Sequence, residues 1–240
     1  MKTITPILIT FLLLISTTSF AQKKKVKGNS NIITTTRTVD NFDNIAVSGS
    51  FNVTLIKGKA GTITIEASSN LMEAIETEVK DGLLKIKFKS GWNIRTYKKV
   101  NITVTFETVS GVSLSGSGSI ISADEIIANN LDLKVSGSGN MKLKLFTDQL
   151  TAAISGSGNL KLHGETNIVT CSISGSGNLN ASDLKATITN AKVSGSGNVK
   201  IQALEEIHAK VSGSGNILYS GNPSIIKANA SGSGAVKKMN

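Results

Sequence analysis

The chain is poor in the residues that usually carry chemistry. It has one cysteine, Cys171, so an internal disulfide is excluded. Cys171 lies in the alternating apolar series Val169, Cys171, Ile173 and reads as a buried core residue rather than a reactive thiol. Two histidines, His163 and His208, fall at different places in different repeats. A transition-metal centre needs His, Cys or carboxylates in a cluster, so no metal or other cofactor is expected. Arginine stops at Arg95, and aromatics make up 4% of the chain. A nucleic-acid groove wants a concentrated basic face with aromatic platforms, and neither is present. After residue 21 no segment is long and apolar enough to span a membrane as a helix.

Charge is unevenly spread. The formal net charge is +10, but Lys2, Lys23, Lys24, Lys25 and Lys27 crowd the N-terminus. Residues 28–240 hold 21 basic and 16 acidic side chains, and residues 115–234 hold 9 Lys against 8 acids. The long body is therefore near neutral, which leaves at most weak attraction to acidic polysaccharide or lipid headgroups.

What is abundant is one short motif. Ser-Gly-Ser-Gly-Asn, or a near copy, begins at Ser115, Ser136, Ser155, Ser174, Ser194, Ser212 and Ser231, at intervals of 21, 19, 19, 20, 18 and 19 residues. So regular a period is the mark of a chain that coils and stacks on itself. Apolar residues alternate on both sides of the motif: Met141, Leu143 and Leu145 after one copy, Leu131, Leu133 and Val135 before it. A spacing of two puts them on one face of a strand. Each coil is expected to hold two short strands, bridged by the motif and by a looser second turn such as His163–Asn167. Stacked at about 4.8 Å, the coils would share one core and align their Ser, Gly and Asn in ladders. The structural turn glycines are then Gly137 and Gly139, Gly156 and Gly158, Gly175 and Gly177, Gly195 and Gly197, and Gly213 and Gly215. A helical repeat is disfavoured, because Gly, Val, Ile and Thr are poor helix formers.

The remaining segments fall in order. Residues 1–21, with Lys2, an apolar run Ile7–Ile15 and Ser19-Phe20-Ala21, read as a secretory signal peptide. Residues 22–30 read as a basic, flexible tail. Residues 31–114 keep the strand character without the strict period and are expected to cap residues 115–240, the regular coils. Within the cap, Ile45–Phe51 looks like an imperfect first copy of the bridge, and Asn70 is expected to cap a single helical turn. Asp81-Gly82 is a two-residue hairpin signal.

Some of these stretches also resemble a known family. Thr38–Val47, followed by Ser48-Gly49-Ser50 and Val53-Thr54-Leu55, resembles the opening of the head GIN domain family. Asn70-Leu71, Asp81–Ile86 and the repeated bridges extend the likeness over roughly residues 35–235. The family is labelled as auto-transporter adhesins and consists mainly of exported Bacteroidetes proteins. The resemblance implies a right-handed parallel β-helix of the pectin-lyase-like type, and the rule for parallel crossovers gives the same hand. A self-transporting protein needs a membrane barrel, and none is expected after Asn240.

The expectation is thus an all-β protein, a single right-handed parallel β-helix with an N-terminal β-rich cap. Function is expected to be non-enzymatic binding or adhesion at the cell envelope, in the periplasm, at the outer membrane or outside the cell. The partner would be an anionic glycan or an envelope protein. Candidate ligand contacts are Trp92, Arg95, Tyr97, Lys98 and Lys99, since aromatic faces beside cations suit sugar rings and acidic glycans. Covering the first coil would explain the same aromatics. A polysaccharide lyase or hydrolase is the rival, and Asp148 and Glu165 in adjacent coils are its nearest approach to an acid pair. An envelope protein that stacks end to end is a third reading. Calcium ladders want Asp where this chain has Ser and Asn, and phosphate loops want a following helix where this chain has strands.

Overall fold

A computed structural model describes residues 24–95 and 99–239. In chain order the first strands are β1 (Lys24–Lys27), β2 (Ile32–Thr38), β3 (Asn44–Ser48), β4 (Phe51–Lys57) and β5 (Thr62–Ser68). A 3-10 turn (Ser69–Ala74) leads to β6 (Ile75–Lys80), β7 (Leu83–Phe88), β8 (Trp92–Arg95), β9 (Val100–Phe106) and β10 (Gly111–Gly116). The long strands are β11 (Ser119–Gly137), β12 (Asn140–Gly156), β13 (Asn159–Gly175), β14 (Asn178–Gly195) and β15 (Asn198–Gly213). The chain finishes with β16 (Asn216–Ser220), β17 (Ile225–Ser231) and β18 (Ala235–Lys238).

From β11 to β16 each strand lies parallel on the one before it, and β17 and β18 then lie parallel on β15 and β16. The register joins Asn140, Asn159, Asn178, Asn198 and Asn216, so every coil repeats the last. The result is a β-solenoid of about 7 turns with a spacing of about 19 residues. Inward positions stack like on like: Leu133, Ala152, Cys171, Ala191 and Ala209 form one buried ladder. Neither half-coil could bury its apolar face alone, and stacking supplies the covering layer above and below. The coil is more continuous than the expected pair of short strands. At the second corner the alternation slips by one residue, as where Thr147 and Leu150 both point inward across exposed Asp148 and Gln149. The backbone there stays paired to the next coil, so the corner bends the strand without ending it.

Glycine is required at the bridge by both angle and space. Gly175 has φ +117°, and a Cβ built on it would lie 2.6 Å from the carbonyl oxygen of Gly156. The coils approach so closely here that a side chain would strike the backbone beneath.

At the cap end, stacking order departs from chain order. The coil made by β3 and β4 sits between the β7–β9 coil and the β10–β11 coil. Its Ser48-Gly49-Ser50 bridge lies under the regular ladder: Gly49 N–H donates to the Ser115 carbonyl, and Gly118 N–H donates to Gly49. Beyond the β7–β9 coil the sheet turns antiparallel, β6 on β7, then β5 on β9 and β2 on β5. Asp81-Gly82 makes the expected tight turn between β6 and β7, with both residues at positive φ. Arg37 on β2 clamps the 3-10 turn, donating to the carbonyls of Met72 at 2.8 Å and Ile75 at 2.7 Å. Asn70 lies inside that turn rather than at its N-cap: its amide donates to the Lys27 carbonyl and accepts from the Asn29 N–H.

Those last contacts bear on the expected flexible tail. Lys24–Lys27 forms a parallel two-stranded ribbon with β8, and Gly28 is buried against Ser68 and Leu71. Residues 1–21 lie outside the described residues. The opposite end is barer. Among the described residues no strand covers β17 or β18, and Ile225 and Ile226 are 46% and 50% exposed.

Candidate binding surface

Strand alternation decides what faces outward. Because Met141, Leu160, Leu179, Val199 and Ile217 point into the core, their neighbours form two outer columns. The first column is the asparagine that closes each bridge. Each amide donates its Nδ2–H to the Oδ1 of the coil before: Asn159 to Asn140 at 2.9 Å, and Asn178, Asn198 and Asn216 onward at 3.1 Å. Toward the cap, Ser119 donates to Asn52, Asn52 to Asn101, and Asn101 to the carboxylate of Glu66. Asn159 and Asn178, laddered on both sides, each keep one N–H and one lone pair for a ligand, whereas Asn198 Oδ1 also accepts from the Asn216 backbone N–H.

The second column, two residues on, runs Ile121, Lys142, Lys161, Asn180, Lys200, Leu218 and Lys237 in register. Between the columns lies a groove along the solenoid. It contains cavities of 540 Å³ and 260 Å³ that share Asn178 and Asn180. Lys142, Lys161, Lys200 and Lys237 are exposed, and among the described residues none has a carboxylate within ion-pair distance.

Trp92, Arg95 and Lys99, candidates from the sequence, do not line these cavities. Between β7 and β9, where the other coils carry the bridge, β8 pairs with β1 to form a two-stranded arm. Trp92 is half-buried, and Lys24 Nζ stands 4.0 Å from its ring centroid, so one aromatic face already holds a cation. Arg95 is exposed on β8, and its carbonyl accepts from Gly28. Lys99 is exposed before β9, while Tyr97 and Lys98 lie outside the described residues.

The acids are dispersed. Glu165 pairs with Lys185 at 2.7 Å, Asp148 accepts from Asn167 at 2.9 Å, and Glu206 pairs with His208. Asp148 and Glu165 thus face different partners. Among the described residues no three His, Cys, Asp or Glu side chains converge on a metal site, and no helix is long and apolar enough to cross a membrane. Cys171 is buried, and burial pushes its thiol up to about 12. Sequence reading overlooked the lysine column and the exposed pair Ile127 and Phe146, which adjoin across β11 and β12. The signal was present in both cases: if Leu145 faces in, Phe146 must face out.

Several solved structures share this architecture. A Bacteroides fragilis protein named as a putative adhesin is 29% identical, with a TM-score of 0.84 over 89% of this chain and 100% of its own. A Parabacteroides distasonis protein named as a putative lipid binding protein is 25% identical, with a TM-score of 0.75 over 90% of this chain and 100% of its own. A putative adhesin from Parabacteroides merdae is 24% identical and shares the fold, with a TM-score of 0.74 over 90% of this chain and 100% of its own. No curated protein matches the chain. The stacked coils agree with the sequence match over residues 41–223, and the chain belongs to the family described as "Putative auto-transporter adhesin, head GIN domain".

Proposed function

We propose that this is an exported, non-enzymatic binding protein of the cell envelope with an adhesive role, whose partner is an anionic glycan or an envelope protein. The observation that carries this reading is the long groove beside the asparagine ladder, edged by lysines that have no carboxylate partner among the described residues. Its recognition groups are repeated from coil to coil, as suits an extended partner rather than a small substrate. The dispersal of the coil acids among separate partners favours binding over hydrolysis, which needs two carboxylates across one bond. Family membership and the adhesin and lipid-binding names of similar proteins support a binding role.

The test has two parts. The full chain, leader included, should appear in the envelope or outside the cell on fractionation. The mature protein should be retained on immobilised acidic polysaccharide or on isolated envelopes without releasing new sugar ends. Product release would move the assignment to the rival enzyme. End-to-end self-association has its own supporting observation in the bare β17 edge with Ile225 and Ile226. Sedimentation that rises with protein concentration would support it.

A further inference from the structure

The lysine column is a cost that the fold itself does not require. Lys142 and Lys161 are direct partners across parallel strands, where like charges destabilise. Elsewhere the chain neutralises such positions: one corner away, Lys185 pairs with Glu165. Along the groove Lys142, Lys161, Lys200 and Lys237 have no such partner among the described residues. Their heights are set by the coils. Successive gaps are one, two and two coils, or about 5, 10 and 10 Å. The opposite wall is the asparagine ladder, whose amides are held in place by one another. Such groups lose little freedom when a ligand arrives.

We propose that this groove binds a linear carboxylated polysaccharide, a chain of uronate-type sugars lying along the solenoid axis, and the proposal rests on the binding role argued above. The lysines take carboxylates repeated along the polymer. The free N–H and lone pair of Asn159 and of Asn178 meet neighbouring hydroxyls, which are donor and acceptor at once. Ile121, which is 45% exposed, and Leu218 offer apolar contact to the C–H faces of sugar rings. From Ser119 to Ala235 the first column crosses seven strands, about 29 Å of track. The groove lining includes no aromatic platform on which nucleic-acid bases could stack. Its cations form a single file beside a trough, whereas a membrane surface would be met by a broad basic face.

The test uses the mature protein with oligogalacturonate as the probe, followed by calorimetry at several salt concentrations. Methyl-esterified oligogalacturonate, anionic phosphatidylglycerol vesicles and single-stranded DNA are the comparison ligands. One variant carries Lys142→Gln, Lys161→Gln, Lys200→Gln and Lys237→Gln together. A second carries Trp92→Ala and Arg95→Gln, on the arm. Circular dichroism checks that both keep the strand fold, which the exposed lysines should not disturb. The expected result is binding of the acid form only, weakened about tenfold or more and with a flatter salt dependence in the lysine variant. The arm variant should bind as the parent does. Unchanged affinity in the lysine variant overturns the groove assignment, as does equal affinity for the ester. Lysine-dependent binding of vesicles or DNA in place of oligogalacturonate overturns the ligand class. In any of these cases the binding role stands. A mature protein that holds no glycan, no vesicle and no envelope fraction removes both.

Discussion

At the scale of single residues the solenoid is unforgiving inside the coils and at the bridges. Gly175→Val should destabilise by about 3 kcal/mol, because it forces a branched side chain to positive φ with its Cβ 2.6 Å from a backbone oxygen. An unchanged melting temperature would contradict the ladder geometry. Thr189 errs in the other direction. It is buried between Val169 and Ile207 in the register, and its hydroxyl has no hydrogen-bond partner among the described residues. Thr189→Val should therefore raise stability by about 1 kcal/mol, measured by denaturant midpoint. Cys171 gives a pH signature. Its thiol moves from 9.0 to about 12 on folding, so the folded state alone keeps the proton between those values. Its stabilisation is complete below pH 9.0 and falls by about 1.4 kcal/mol per unit as pH rises toward 12. Parent and Cys171→Ala, which matches the alanines above and below it, should differ in melting temperature by an amount that changes only in that alkaline window.

At the scale of elements, the cap depends on a few polar ties rather than on repetition. Arg37 reaches the carbonyls of Met72 and Ile75 and the hydroxyl of Thr77, joining β2 to the turn and to β6. Its guanidinium is part-buried, and burial lowers its pKa. Arg37→Ala should cost about 2–3 kcal/mol through two carbonyls left without their charged donor. Limited proteolysis should then cut first near Ser69–Ala74, and cutting elsewhere would argue against the clamp. The ribbon of β1 and β8 joins the same assembly through Asn29 and Asn70.

At the scale of the whole molecule, stability should be graded along the axis. Coils with neighbours on both sides exchange contacts with each, whereas terminal coils have one neighbour. Hydrogen exchange should be slowest in β12–β14 and fastest in β17 and β18, whose outer edges are uncovered. Protection that is uniform to the last strand in dilute protein would mean that the bare end is occupied, and so favour self-association.

Period and alternation were enough to read the stacked coils, because each is a local property of the chain. The seven bridges set the rise from coil to coil, and a spacing of two sorted core from surface: Leu133, Cys171 and Ala209 could be placed inside without coordinates. The same alternation already implied outward lysines, and their common place two residues after the end of each bridge aligned them. Tertiary structure decided that, among the described residues, no carboxylate reaches Lys142, Lys161, Lys200 or Lys237. Tertiary structure also decided the cap. Pairing there joins segments distant in sequence, such as β3 with β7 and β10, and no period announces it. For the same reason the basic stretch Lys24–Lys27 looked like a solvated tail in sequence. Its strand character comes from β8, a partner some seventy residues away that supplies the missing hydrogen bonds.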